Sequence, residues 1–406
     1  MKKNKKIIYK NSIQKEFLNS KNNKKINKKF SDILNNITIN LDTSENVFNS
    51  LSYKFKLSFK IKDLNKFKRF NKVVVIGMGG SILGAEAIYL FLKKKIKKDF
   101  LFLDNIDEDE LQRIKSKQKL NKILFIIISK SGNTIDTLSN IRALKIIKTR
   151  SKNIIIISEK KQNPLYLLAK KMKLFHIEHK SYIGGRYSVL SEAGMVPAYL
   201  MGVNILKLRK NLLNHFSAKN KIYLKDSSIK LAGILQKKKL NTLIFFNYIP
   251  QLNKFLYWNQ QLIAESLGKK GKGFLPIISS APRDHHSLLQ LYLDGPKDKL
   301  FYVFSTDIDN KKKINSNILG KELNFLNNKS LSQIKIAQKN AFLKALKKKR
   351  IPFREFKIRD LSEQVLGELF SYFILETAIV GKLVNINPFD QPAVEEVKVN
   401  TKKILS

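Results

Sequence analysis

The sequence predicts an α/β protein of two doubly wound, parallel-sheet lobes, and three observations carry that expectation. From residue 72 onward the chain repeats a short β-branched run, a turn and a helical stretch. The runs are apolar throughout rather than alternating, as in strands buried on both faces beneath helices. The length of 406 residues exceeds the roughly 250–300 at which a single core stops growing, so two cores are expected.

The elements follow in order. Residues 1–50 form a basic N-terminal arm: the first thirty hold eleven Lys and one Glu, with no apolar run long enough for a signal peptide. A solvated helical arm is expected there. The first lobe, 51–215, has strands at 73–76, 100–103, 123–128 and 154–157, with helices over 82–92 and 135–147 between them. The second lobe, 220–384, repeats the pattern with strands at 242–246, 274–278 and 300–304. A C-terminal segment, 385–406, combines a Pro-bounded turn with a helix. No short-period repeat suggests a solenoid.

Composition narrows the function. The formal net charge is +46, yet of 78 basic residues only ten are Arg. Arg is the better group for bidentate phosphate and base contacts, so a selected nucleic-acid surface should hold more of it. The excess Lys travels with abundant Asn and Ile, which share AT-rich codons, and reads as bias spread over the surface. Zero Cys excludes disulfides, thiolate nucleophiles and Cys-ligated zinc. No uninterrupted apolar run approaches the eighteen or so residues of a membrane span, so a soluble, cytoplasmic protein is expected, with neither membrane nor specific nucleic-acid partner.

Six segments carry chemistry. The first strand runs into Gly77-Met78-Gly79-Gly80-Ser81 and then a helix, a place where free N–H groups and a dipole suit an anion. A dinucleotide fingerprint would need Gly where Ile82 stands, although Asp104 at the end of the next strand keeps that reading open. The third strand ends in Ser129-Lys130-Ser131-Gly132-Asn133-Thr134, which lacks Walker spacing. Loops at neighbouring strand ends can share one phosphate, so Gly80, Ser81, Ser129, Lys130, Ser131 and Thr134 are candidate phosphate contacts; the plainer alternative is helix capping by Ser131 and Thr134. Arg186 follows two glycines in a chain poor in Arg.

In the predicted helix 254–267, Phe255, Trp258, Leu262 and Glu265 share a stripe, so Glu265 faces inward. A buried carboxylate is a better proton acceptor, as a carbon-acid base must be, unless it is a structural acid paired with a neighbouring Lys. Asp284-His285-His286-Ser287 opens another helix on which the two His diverge, so at most one faces a given site; solvent exposure is the plain alternative. Metal binding is not expected: His176 and Glu178 share a strand face that His179 leaves, and no third ligand is evident. Lys398 is one Lys among many on the last helix.

Together these segments resemble the glucose-6-phosphate isomerase family, also called the phosphoglucose isomerase family. The resemblance is strongest at Ile183-Gly184-Gly185-Arg186-Tyr187-Ser188-Val189, at Gln260-Gln261-Leu262-Ile263-Ala264-Glu265-Ser266 and through 381–398. It implies two sugar-isomerase (SIS) lobes and a homodimer with the histidine loop supplied by the partner subunit. It implies that no cofactor is needed. By match, Ser81, Ser129, Lys130, Ser131 and Thr134 hold the 6-phosphate of a sugar; Glu265 moves a proton between C2 and C1; and Arg186 stabilises a cis-enediolate. His286, helped by Lys398, opens the ring, while Gln261 and Gln391 contact substrate hydroxyls and catalytic groups. Asn133 resembles the S-G-N-T loop of SIS isomerases that accept mannose 6-phosphate, so dual phosphoglucose/phosphomannose specificity is an alternative. A non-catalytic phosphosugar sensor has no reason to keep Glu265, His286 and Lys398 together.

Overall fold

The computed structural model describes residues 6–17, 23–117, 119–308, 312–314 and 320–406. The N-terminal arm is not solvated. Strand β1 (Ile7–Ser12) enters the second lobe's sheet, and helix Asn23–Ile39 buries Phe30, Leu34 and Ile37 against helices Ala218–Lys237 and Glu363–Leu383. Alternating Lys and apolar residues hid this role: charge dominates the composition, while one face of each element is apolar enough to bury. Residues 1–5 and 18–22 of the expected arm lie outside the described residues.

The first sheet is built from β2 (Lys72–Gly77), β3 (Asp99–Leu103), β4 (Ile123–Ile128), β5 (Ile154–Ser158) and β6 (Phe175–Glu178). Its spatial order is β3-β2-β4-β5-β6, all parallel. Every residue of β4 and β5 is buried, as their unbroken apolar runs require.

The second sheet takes β7 (Thr242–Asn247), β8 (Leu275–Ser280) and β9 (Lys299–Thr306). After a two-stranded ribbon of β10 (Lys313–Ile314) and β11 (Lys329–Ser330) comes β12 (Phe353–Ile358). The order is β1-β12-β9-β7-β8, with β1 antiparallel to the rest. The hydropathy pattern missed β12 because Arg354 and Glu355 interrupt it. Both are buried and neutralised, Arg354 Nη2 lying 2.9 Å from Glu376 and Lys339 Nζ 2.8 Å from Glu355. Arg354 Nε also donates to Asn11, which pins β1 to the sheet edge.

Helix Leu83–Leu92 of the first lobe packs on helix Asn253–Leu267 of the second, and Lys254 Nζ meets Glu86 Oε1 at 2.8 Å across that seam. Helix Glu363–Leu383 is long and apolar enough to cross a membrane, but 89% of that stretch is buried inside the protein. It is the central core helix. At Gly367 a side chain would stand 1.8 Å from the Leu208 carbonyl, so only glycine permits the approach.

His215 lies in this core, its ring 4.9 Å from that of Tyr372. Burial pushes its pKa down from 6.5 to about 3, against the raising effect of a backbone hydrogen bond at Glu368. Between those values the unfolded chain binds a proton that the native protein does not, so stability falls as pH drops through 6.5. Urea unfolding at pH 7 and pH 5 should show the wild type losing about 2 kcal/mol more than His215→Phe.

Candidate active site

Each half of the site begins where a strand ends. β2 and β4 run side by side to the pair Gly77 and Ile128, which sets the 77–81 and 129–134 loops next to each other. In the second loop the hydroxyls of Ser129 and Thr134 are 2.9 Å apart, and Ser129 Oγ accepts the Gly132 N–H at 3.2 Å. Gly132 has φ +66°, and a side chain there would overlap Asn163. Lys130 Nζ lies 3.7 Å from Glu159 Oε1; burial pushes its pKa below the ordinary lysine value although Glu159 counteracts. Ser131 is exposed.

The 77–81 loop has a second use that the sequence did not reveal. A Cβ on Gly80 would stand 2.2 Å from the Gly185 carbonyl carbon and 2.4 Å from the Arg186 nitrogen. Ser188 Oγ donates to the Gly80 carbonyl at 3.3 Å. Gly80 therefore seats the Arg186 loop, a duty apart from the anion contact expected from sequence. Helix Leu83–Leu92 repeats the device, with Gly84 facing Val189.

Arg186 is 2% exposed and uses all five of its N–H donors. Nε donates to Ser266 Oγ at 2.9 Å, and Nη1 donates to Glu265 Oε2 at 3.0 Å and Gln391 Oε1 at 2.7 Å. Nη2 donates to the carbonyls of Pro388 and Asp390 at 2.7 and 2.9 Å. The Arg186 carbonyl in turn accepts from Trp258 Nε1, and Tyr187 Oη donates to the Pro388 carbonyl. One side chain thus ties the first lobe, the Asn253–Leu267 helix and the C-terminal segment together.

Glu265 stands on that helix one turn after Gln261, whose Nε2 donates to Glu265 Oε1 at 2.9 Å. Its partner is Arg186 rather than the neighbouring Lys weighed from sequence. Nor is it fully enclosed: the side chain keeps 31% exposure on the wall of a cavity of about 630 Å³ shared with Lys269, Asn387, Asp390 and Gln391. The carboxylate is therefore oriented through both oxygens yet open to a ligand.

The structure joins Arg186, Glu265, Gln261, Gln391 and the 77–81 loop into one cluster. It does not join His286 or Lys398 to it. His286 is exposed on helix Asp284–Ser287, and Lys398, on the exposed helix Ala393–Leu405, pairs with Glu395 at 2.7 Å. The two His diverge as expected, but His285 is not solvent-exposed: it lies over Phe246, with Nε2 2.6 Å from Tyr248 Oη. Asp284 fastens that helix, accepting from Ser279 Oγ and the Ser280 N–H. Desolvation pushes its pKa upward, but hydrogen bonds from Arg283, Ser279 and Ser280 outweigh it and hold the carboxyl below the usual range.

Sequence reading missed Ser266, Tyr187, Glu159 and the carbonyls of Pro388 and Asp390. Ser266 and Tyr187 were visible only as neighbours of stronger candidates, and backbone carbonyls carry no side-chain signal. Among the described residues no group of three His, Asp or Glu could hold a metal ion.

With this geometry in place, the chain can be set beside known proteins. The sequence profile of the family Phosphoglucose isomerase matches residues 59–406. The chain belongs to the phosphoglucose isomerase family. It is 32% identical to the glucose-6-phosphate isomerase of Methanocaldococcus jannaschii over 380 residues, 91% of this chain and 92% of that one. It is also 32% identical to the enzyme of the same name from Campylobacter jejuni, over 82% of this chain and 85% of that one. Among solved structures, a glucose-6-phosphate isomerase from Chlamydia trachomatis superposes with TM-score 0.72 and 20% identity, covering 86% of this chain and 72% of that one. A hypothetical protein from Thermus thermophilus superposes with TM-score 0.77 and 23% identity over 98% of this chain and all of that one. At those identities the two structures speak for the shared fold.

Within this family member, the Gly80 contact is open to test. Gly80→Ala should force the two loops apart at a cost of about 1–3 kcal/mol, the usual range for overpacking. The expected outcome is a lowered urea midpoint accompanied by a lowered kcat/KM; unchanged values of both would show that the loops separate freely.

Proposed function

We propose that this chain works as follows. The enzyme interconverts D-glucose 6-phosphate and D-fructose 6-phosphate, an aldose-ketose isomerisation that needs a phosphate cradle, a ring-opening acid and base, a carbon-acid base and a cation. Ser81, Ser129, Lys130, Ser131 and Thr134, with the backbone near Gly80, take the 6-phosphate. His286, assisted by Lys398, moves the proton that opens the ring. Glu265 removes the C2 proton of the open-chain aldose, the electron pair forms the cis-enediolate, and the same carboxyl returns the proton to C1 while the O2 hydroxyl proton passes to O1, leaving the ketose carbonyl at C2. Gln261 and Gln391 hold the catalytic groups and meet substrate hydroxyls.

The observation that carries this reading is the Arg186–Glu265 pair. A guanidinium with every donor already engaged cannot swing, so it stands as a fixed positive charge where negative charge develops on the enediolate oxygens. Such preorganisation costs nothing at the moment of reaction. A coupled assay in the presence of chelator tests it: Glu265→Gln should lower turnover by at least about 10²-fold while leaving the fold intact. Undiminished turnover would remove Glu265 from the role of base.

Among the described residues neither His286 nor Lys398 forms a hydrogen bond or ion pair with the cluster, which supports a homodimer in which a partner subunit completes each site. Helix Ala393–Leu405 has no buried residue and exposes Val394, Val397, Ile404 and Leu405 on one side, an apolar face suited to burial against a second copy. Mixing tests this. Glu265→Gln and His286→Ala homodimers should each be nearly inactive, but exchange of subunits should restore activity, because one site of the heterodimer then holds both wild-type groups. Absence of recovery after verified exchange would place His286 in its own chain's site. The Cys-free composition suits a reducing compartment, and we assign the enzyme to the cytoplasm.

A further inference from the structure

The second lobe repeats the geometry of the first at the place where the first carries its phosphate loops. In the first sheet β3 lies on one side of β2 and β4 on the other, so the strand order reverses between β2 and β4, and the 77–81 and 129–134 loops meet in that crevice. In the second sheet β8 lies on one side of β7 and β9 on the other, so the reversal falls between β7 and β9. The registers correspond: β2–β4 pairing ends at Gly77 with Ile128, and β7–β9 pairing ends at Asn247 with Phe304. Ser305 therefore occupies the position in β9 that Ser129 occupies after β4. Crevices outside the carboxyl ends of strands at such a reversal are where open α/β sheets bind ligands.

A cavity of about 180 Å³ fills this second crevice. Ser305 and Thr306 come from β9, Tyr248 and Gln251 from the segment after β7, and Lys335 and Lys339 from helix Leu331–Lys348, with Lys94 reaching in from the first lobe. Glu355, beside the cavity, is already matched by the buried Lys339 at 2.8 Å. Asp307, next in sequence to the lining, is matched by Lys357 at 2.6 Å and Arg359. Lys94 and Lys335 are left with no carboxylate partner among the described residues. Lys335 is partly buried in the cavity wall, so an anion in the cavity would meet its positive charge.

From this we infer that the second lobe carries its own binding site, at the carboxyl ends of β7 and β9, for a small phosphate-bearing anion held by Lys335, Lys94 and the Thr306 hydroxyl, while the Ser305 hydroxyl donates to Glu355 Oε1 at 3.3 Å. The cavity is too small for a nucleotide, since pockets for drug-sized ligands run to about 300–1,000 Å³. It accommodates phosphate or a short phosphate ester. Tyr248 links the site to the rest of the molecule, for the residue lines the cavity while its hydroxyl meets His285, the neighbour of His286.

Titration calorimetry with inorganic phosphate, and separately with glycerol phosphate, tests the site on the full-length protein. The expected stoichiometry is two anions per chain. Ser129→Ala weakens one binding event at least about tenfold, and Lys335→Gln combined with Lys94→Gln weakens the other to the same extent. The double Lys variant keeps the wild-type kcat/KM at low phosphate. Ile336→Trp, which fills the cavity from the same helix, should abolish the second event without the charge change, with circular dichroism confirming the fold. A single event that responds only to Ser129→Ala overturns the inference, as does a second event untouched by both second-lobe variants. Loss of the Ser129-dependent event alone would count against the phosphate cradle of the first lobe instead, so the two readings fail separately.

Discussion

The structure depends on one buried guanidinium. Arg186 is almost fully withdrawn from water, and a charge in that position is tolerable only when its hydrogen-bonding capacity is met. Five acceptors meet it, one pair at Glu265 and Gln391, one at the Pro388 and Asp390 carbonyls, and a single hydroxyl at Ser266. Those acceptors come from the second lobe's helix and from the C-terminal segment, so satisfying the charge and assembling the site are one requirement. Gly80, in a neighbouring loop of the same lobe, lets the backbone of the Arg loop sit close enough for this to happen.

The same requirement explains how the acid is used. Glu265 has one oxygen on the guanidinium and the other on Gln261, which fixes its plane while a third of the side chain remains open to the cavity. A carboxylate sealed in apolar packing would be a stronger proton acceptor but could not meet a sugar. Here orientation and access are both retained, and a positive charge stands beside it, as the proposed enediolate mechanism requires.

The net charge of +46 contributes little to this arrangement. The cations that matter are set by their surroundings: Arg186 by its five acceptors, Lys130 by its partial burial beside Glu159, Lys339 and Arg354 by buried carboxylates. Most other Lys lie on solvated faces, where single ion pairs add little stability. Buried ion pairs are also why β12 escaped a hydropathy reading, because Arg354 and Glu355 look like surface residues until Glu376 and Lys339 are seen beside them.

Local, periodic features are the ones the spacing of residues dictates. Unbroken β-branched runs specify doubly buried strands, and 123–128 matches β4 residue for residue. The stripe of Phe255, Trp258, Leu262 and Glu265 turned the acid toward the interior, and the glycine and hydroxyl loops followed their strands as expected. Tertiary structure decided what no periodicity encodes. It recruited a Lys-rich N-terminus as a sheet edge, chose Arg186 rather than a Lys as the partner of Glu265, and gave Gly80 a packing duty. It also left His286 and Lys398 outside the cluster. The physical reason is the same in each case: burial of one face is written in the spacing of a single segment, whereas the pairing of charges depends on which segments meet.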